Sequence, residues 1–300
     1  MPDSKRRILL TGSSGMLGRD IYQAFEEGYE VFGTDLAPFK GVPKSHQILG
    51  DLTDSSFIRS TLKTVDPDVI IHCAAIVNLK LCEEDKDLTD RLHLKATSEL
   101  AEHHSKMVFI STDSVFDGKR GNYREDDPIH PLNYYGESKW WGEELVRKQN
   151  EHLILRTNIF GFSCPLKGSI AEWSIKNIDK GNPISGFIDV YFNSIYTKHL
   201  AQIIKRLLEL SVTGTLHAAS RNTLSKYSFL KYLENRLTGQ TGLVGKSKST
   251  EFDLFPDRPM NPTLNVDRLS KWVDIPTIEA GIDALVKDYL EVKHECHPAG

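Results

Sequence analysis

The run Arg7-Ile8-Leu9-Leu10 passes directly into Thr11-Gly12-Ser13-Ser14-Gly15-Met16-Leu17-Gly18, and this junction constrains the fold more than any other part of the chain. The apolar run reads as a strand. Leu17, Ile21 and Phe25 then recur at helical spacing, and Gly28 is placed to stop that helix in a left-handed turn. Strand, glycine turn and helix in this order let the backbone approach a pyrophosphate, whose charge the free N–H groups of the helix start would favour. The spacing of Gly12, Gly15 and Gly18 is GxxGxxG, one residue away from GxGxxG. A glycine turn that merely joins strand to helix is the alternative this segment leaves open.

The next strand, Glu30 to Asp35, ends in a carboxylate close to the position where an acidic residue holds an adenosine ribose. A carboxylate there accepts from both ribose hydroxyls and repels a 2′-phosphate, so NAD(H) is favoured over NADP(H). Arg19 and Lys40 are the nearby cations that would soften the preference. Gln47-Ile48-Leu49 reads as a third strand, and Thr53 or Asp54 caps the helix that follows. Val69 to Ala75 reads as a buried parallel strand ending in small residues, Ala74 and Ala75, where a cofactor can pass near the backbone. Met107 to Ile110 is another strand, delivering Ser111-Thr112-Asp113 to the carboxyl edge where open α/β sheets bind ligands.

Downstream lies Tyr135-Gly136-Glu137-Ser138-Lys139. A tyrosine four residues before a lysine on a helix shares its face, and the ammonium is expected to lower the phenol's pKa. Thr112, from the strand end, would hold a substrate oxygen against that phenol while hydride moves to the adjoining carbon. A helix start with a chance tyrosine and lysine is the bland alternative.

These pieces resemble an extended short-chain dehydrogenase/reductase, and within that superfamily the dTDP-4-dehydrorhamnose reductase family. The matching segments are TGSSGMLG at 11–18, GDLTD at 50–54, HCAAIVN at 72–78, STDSVFDG at 111–118, PLNYYGESKWWGEELV at 131–146, LRTNIFG at 155–161 and RPMNPTLN at 258–265. The resemblance implies an α/β, Rossmann-type doubly wound parallel sheet with a smaller C-terminal substrate-binding region. It implies Thr112, Tyr135 and Lys139 as catalytic residues, with Lys139 also on the nicotinamide ribose. Gly12, Ser14, Gly15, Met16, Leu17, Gly18, Asp35, Asp51, Leu52, Ala74 and Ala75 join Tyr135 and Lys139 as cofactor contacts. Asp51 and Leu52 match the pair that lies against adenine. Thr112, Asp113 and Arg258 are the expected substrate contacts, with Arg258 forking a diphosphate or forming a surface ion pair. Sugar-nucleotide dehydratases carry Glu after Thr-Asp, whereas this chain has Ser114, a hydroxyl with no suitable pKa for that proton transfer. The reductases commonly have Tyr there, so Ser114 departs from both patterns.

With 300 residues, 39% of them hydrophobic, the chain can bury a substantial core. A net charge of −4 gives no general attraction for nucleic acid or an anionic membrane, so a phosphate must be held by local groups. No apolar run approaches a membrane span and the start lacks an apolar signal stretch, so a cytoplasmic location is expected. Cys73, Cys82, Cys164 and Cys296 show no paired spacing and are expected as free thiols. His294-Glu295-Cys296-His297 crowds potential ligands at a terminus that reads as frayed, and no metal is expected. A single helix is expected from about 83 to 104, with His93 at a surface or an interface, and the resemblance implies that this region serves a homodimer contact.

Residues 1–159 are assigned to the dinucleotide-binding unit with the catalytic helix. Residues 160–300 form mainly the substrate region, with about 190–212 returning to the first unit. Helices are expected at 170–178, 197–210, 224–237 and 278–292, a strand at 215–219, and a mobile loop at 239–249, rich in Gly, Lys, Ser and Thr. The expected activity is reduction of the C4 keto group of a 4-keto-6-deoxy sugar nucleotide, dTDP-4-dehydro-L-rhamnose first. Two alternatives stand beside it. One is another sugar-nucleotide epimerase or reductase of the superfamily. The other is a non-catalytic nucleotide-binding subunit resembling the β subunit of methionine adenosyltransferase.

Overall fold

The computed structural model describes residues 5–39, 42–163, 166, 168–253 and 255–296; Lys40, Cys164 and His297 lie outside them. The first half alternates strand and helix: β1 (Arg7–Thr11), α1 (Met16–Phe25), β2 (Glu30–Asp35), β3 (Gln47–Leu49), α2 (Ser55–Val65) and β4 (Val69–His72). There follow α3 (Leu79–Glu84), α4 (Lys86–Asp90), α5 (Ala96–Ala101), β5 (Lys106–Thr112), α6 (Tyr134–Val146) and β6 (His152–Thr157). Beyond these come β7 (Ile159–Phe160), α7 (Ile170–Asp179), β8 (Ile184–Phe187), β9 (Tyr191–Phe192), β10 (Ile195–Tyr196) and α8 (Thr197–Glu209). The chain closes with β11 (Gly214–Ala218), β12 (Leu224–Ser225), α9 (Lys226–Thr238), β13 (Val244–Ser247) and α10 (Ile278–Cys296).

Seven strands form one parallel sheet in the order β11-β6-β5-β4-β1-β2-β3. This is a Rossmann-type doubly wound sheet, and its order reverses between β1 and β4. Alternation along β1 explains why helices cover both faces. Ile8 and Leu10 point into a core with Leu17, Ile21 and Phe25 of α1 and Leu200, Ile204 and Leu207 of α8. Leu9 points the other way, into Ile58 and Leu62 of α2, Leu100 of α5 and Phe109 of β5. Each fully buried aliphatic side chain of this kind contributes about 1.5–3 kcal/mol on leaving water.

A second core lies beyond the sheet, where Ile175 of α7, Phe229 and Leu233 of α9, and Ile282, Leu285 and Tyr289 of α10 pack around Phe160 and Phe192. The chain returns from there through α8 to the sheet, and β11 pairs along β6 from Gly214↔Leu153 to Ala218↔Thr157.

Three local expectations are corrected. The end of α1 is not a left-handed glycine: Glu26 caps it in right-handed geometry, and the N–H groups of Gly28 and Tyr29 bond Phe25 O at 3.1 and 3.0 Å. The single helix expected at 83–104 is broken at Asp85, between α3 and α4, and from Lys86 runs without interruption through a wider π turn at Arg91–Lys95 into α5, ending at Ala101. The expected loop at 239–249 contains β13, which runs parallel to β8 with Val244 opposite Ile184. Backbone pairing and the burial of Val244 outweigh the loop-like composition there.

Candidate active site

The glycine turn brings three backbone segments nearly into contact. Gly12 has φ +69°, and a Cβ added to it would stand 2.8 Å from Ala74 N. A Cβ on Gly18 would stand 2.1 Å from Gly12 O, so the helix start is pressed onto the turn. Gly15 caps α1 and no side chain bonds its first turn, an arrangement suited to an anionic ligand. Asp35, at the end of β2, holds the turn in place. Its Oδ2 accepts from Ser14 N at 2.9 Å and its Oδ1 from Leu36 N at 2.7 Å. Met16 and Leu17 open α1, with Leu17 buried in the core. Ala74 N donates to Thr11 Oγ1 at 3.2 Å, and Ala75 follows it beyond the end of β4. After β3, Leu52 is buried and Asp51 is exposed, accepting from Thr53 N at 2.8 Å; Asp54 is the residue that caps α2. Arg19 packs its guanidinium 4.8 Å from the Phe39 ring centroid.

Thr112 ends β5, and α6 meets it there. Asn133 starts that helix by accepting from Gly136 N at 2.9 Å, while its Nδ2 donates to Asp257 O at 2.8 Å. A Cβ on Gly136 would stand 2.3 Å from Ser114 O, so the absence of a side chain lets the first turn of α6 lie against the end of β5. Half-buried Tyr135 is thereby brought to the Thr112 hydroxyl, which acts on its phenol. Burial pushes the phenol up to about 12, Thr112 opposes that rise, and the charges of Asp113 and Cys82 add to it. The phenol is therefore raised rather than lowered, against the expectation drawn from its neighbour Lys139, because burial dominates. Burial likewise lowers Lys139 to about 8, against the opposing pull of Cys73 and Glu143. The Lys139 ammonium stands 4.0 Å from the Phe109 ring centroid. At neutral pH this is a protonated phenol with a cation one helical turn away, which is a proton donor.

Behind α6, Glu143 and Arg156 are buried together. Arg156 Nη2 donates to Glu143 Oε2 at 2.8 Å, its Nε donates to Oε1 at 2.9 Å, and Ser111 Oγ donates to Oε1 at 2.5 Å. Strands β5 and β6 are thus tied to α6 by charge-assisted bonds.

Asp113 is buried, with Asn158 Nδ2 donating to its Oδ2 at 2.6 Å and the Thr112 and Ser114 hydroxyls donating to its Oδ1 at 3.2 and 3.3 Å. Burial raises its pKa, and these bonds oppose the rise. Lys226 faces it and was not anticipated. Its ammonium stands 3.6 Å from the Phe192 ring centroid, and burial lowers it to about 8, with Asp113 opposing and Arg258 adding to the fall. The exposed Arg258 therefore belongs to the same charge cluster. One signal in the sequence pointed to Lys226: it directly follows the capping Ser225, placing a cation at the unfavourable end of a helix dipole.

His93 corrects another expectation, since it is 2% exposed inside the π turn rather than at a surface. An extra residue in one helical turn changes no composition and shows only as a phase shift, which the short apolar pattern on either side does not resolve. Among the described residues, Cys73 and Cys82 are free thiols. Asp66, His103 and His104 gather at the amino edge of the sheet, where Arg7 already pairs with Asp66 at 2.8 Å. No helix among the described residues is long and apolar enough to cross a membrane.

Comparison with known proteins places these observations. The family model described as RmlD substrate binding domain matches residues 6–291. The probable low-salt glycan biosynthesis reductase Agl14 of Haloferax volcanii is 28% identical over 93% of this chain and 98% of its own. Methionine adenosyltransferase 2 subunit beta of Bos taurus is 30% identical over 74% of this chain and 69% of its own. Among solved structures, dTDP-4-dehydrorhamnose reductase from Bacillus anthracis in complex with NADP superimposes with a TM-score of 0.84 at 26% identity, covering 95% of this chain and 99% of that one.

Proposed function

The chain belongs to the family described as RmlD substrate binding domain, and from that membership we propose that it reduces the C4 keto group of a 4-keto-6-deoxy sugar nucleotide, dTDP-4-dehydro-L-rhamnose first, with a nicotinamide cofactor. The observation that carries this reading is a phenol held protonated against a strand-end hydroxyl, Tyr135 on Thr112, with Lys139 on the same helix. The similarity to a dTDP-4-dehydrorhamnose reductase over 95% of the chain supports the substrate class.

The glycine turn fits a dinucleotide: glycine at 12 lets the turn close against Ala74 at a positive φ, and the start of α1 carries no side-chain cap. Gly12, Ser14, Gly15, Met16, Leu17 and Gly18 would hold the pyrophosphate. Asp51, Leu52, Ala74 and Ala75 would line the adenosine and nicotinamide ends. Each Asp35 oxygen keeps a second lone pair beyond the bond it accepts from the backbone, so ribose hydroxyls can still be held and NADH is the proposed preference. A bound nicotinamide would supply the hydride to C4. Tyr135 gives its proton to the oxygen as the carbonyl becomes an alkoxide, and Thr112 bonds that same oxygen. The charge of Lys139 stabilises the phenolate left behind, which recovers its proton from solvent. Lys226 and Arg258 would balance the substrate diphosphate, with Asp113 fixing their position.

A panel of 4-keto sugar nucleotides assayed with NADH and NADPH tests the proposal. Net oxidation of the cofactor with a 4-keto-6-deoxy substrate is expected. Interconversion of sugars with no net oxidation would make the protein an epimerase. A second reading, a dinucleotide-binding regulatory subunit, is favoured by the 30% identity to methionine adenosyltransferase 2 subunit beta. It predicts tight cofactor binding, no turnover on any substrate, and co-purification with a catalytic partner.

A further inference from the structure

We infer that His93 is a positioning residue for the catalytic helix, a neutral imidazole strut that joins the backbone after β4 to the backbone of Tyr135. The kinetic part of this inference rests on the reductase reading; the strut itself does not.

The bonds run in one direction. Ile76 N donates to His93 Nε2 at 2.8 Å, so that nitrogen must present its lone pair. The ring proton is therefore on Nδ1, which lies 2.8 Å from Ser138 Oγ and donates to it. Ser138 Oγ in turn donates to Tyr135 O at 3.0 Å. His93 and Ser138 each give one proton and accept one between the Ile76 donor and the Tyr135 acceptor, and a protonated imidazole would break the first link. Burial, with the Lys139 charge adding to it, lowers His93 to about 3, so the ring stays neutral across the working pH range.

The two ends matter for the site. Ile76 follows Ala74 and Ala75 beyond the end of β4, and its own carbonyl accepts from Cys82 Sγ at 3.5 Å, so it is held from both sides. At the other end, the His93 ring stands edge-on to the Tyr135 ring with 6.1 Å between centroids. The π turn makes this reach possible, because a wider turn at Arg91–Lys95 carries His93 to the inner side of its helix. Gly142 of α6 accommodates the same turn, since a Cβ there would stand 3.3 Å from His93 O and 2.8 Å from the Phe109 ring. A core histidine with no bearing on the site would not need donors and acceptors matched between a cofactor-side segment and the tyrosine's own turn.

The test compares His93→Leu, which fills the volume without hydrogen bonds, with His93→Gln, whose amide keeps one acceptor and one donor. Amide exchange is followed in peptides covering 74–78 and 134–139, together with kcat, KM and near-ultraviolet dichroism. Expected for a folded His93→Leu is faster exchange in both peptides and a fall in kcat of about 10- to 100-fold, with KM for the keto sugar nucleotide changed by less than about threefold. His93→Gln should recover most of both. Wild-type exchange in His93→Leu, or Gln no better than Leu, overturns the inference. Should the wild type oxidise no cofactor with any substrate, the reductase reading fails by itself, and the exchange comparison still decides whether the strut exists.

Discussion

Tyr135 and Lys139 carry their chemistry through burial more than through each other. With the phenol up at about 12 and the ammonium down at about 8, both groups are protonated at neutral pH, the state a reducing enzyme needs. As pH rises through about 8, Lys139 loses its charge first while Tyr135 keeps its proton. The kcat/KM of the reduction should therefore fall on the alkaline side with an apparent pKa near 8, read from initial rates across pH; a flat profile to pH 10 would remove Lys139 from the reaction. In the proposed reading Lys226 meets a different part of the substrate. In Lys226→Ala the KM for the sugar nucleotide should rise by about 10- to 100-fold, the value of a bond to a charged group, with kcat held within a few-fold. An unchanged KM would place the diphosphate elsewhere.

At the level of elements, the site depends on how closely α6 approaches the end of β5. Gly136→Ala puts a carbon into the Ser114 carbonyl, so the first turn must move and the phenol must leave Thr112. A loss of about 100-fold in kcat is expected with the fold intact by circular dichroism; full activity would show that the contact does not set the geometry. The parts of the fold legible in the sequence are those whose signal is local. The apolar run 7–10, the glycine turn and the spacing of Leu17, Ile21 and Phe25 announce β1 and α1, and Tyr135 and Lys139 announce the face of α6. The π turn was hidden because one inserted residue shifts every later side chain by about 100° without altering composition. His93 was hidden with it. Strand β13 depends on pairing with β8, distant in sequence, so its Gly, Lys and Ser residues looked like a loop. Lys226 meets Asp113 and Arg258 only after the chain folds back, although its seat against a helix dipole was visible.

The whole molecule buries neutral histidines that link its stability to pH. His72, His93 and His217 are each at most 2% exposed and lie below the ordinary 6.5, mainly through burial. Below pH 6.5 the unfolded chain takes up protons that the folded one refuses. Stability therefore falls with decreasing pH, by up to about 1.4 kcal/mol per unit for each histidine. For His93 and His217 this continues to about pH 3. Asp20, pushed up to about 6 by burial, opposes the trend between about 6 and 3.8, because there the folded state binds the extra proton. His103 and His199 are lowered by burial as well, and Asp113 is raised as Asp20 is. With five histidines against two carboxyls, the urea midpoint should drop between pH 6.5 and 5; an unchanged or higher midpoint would contradict the neutral burial of these rings. What joins stability to function is the same low-polarity interior at the carboxyl edge of the sheet, which keeps His93 neutral and Tyr135 protonated. Turnover and cofactor affinity of Tyr135→Phe, measured side by side with a 4-keto-6-deoxy sugar nucleotide, test the role of that phenol most directly. A fall in kcat of about 100-fold or more with cofactor binding within a few-fold of wild type is the predicted result, and near-normal turnover would contradict it.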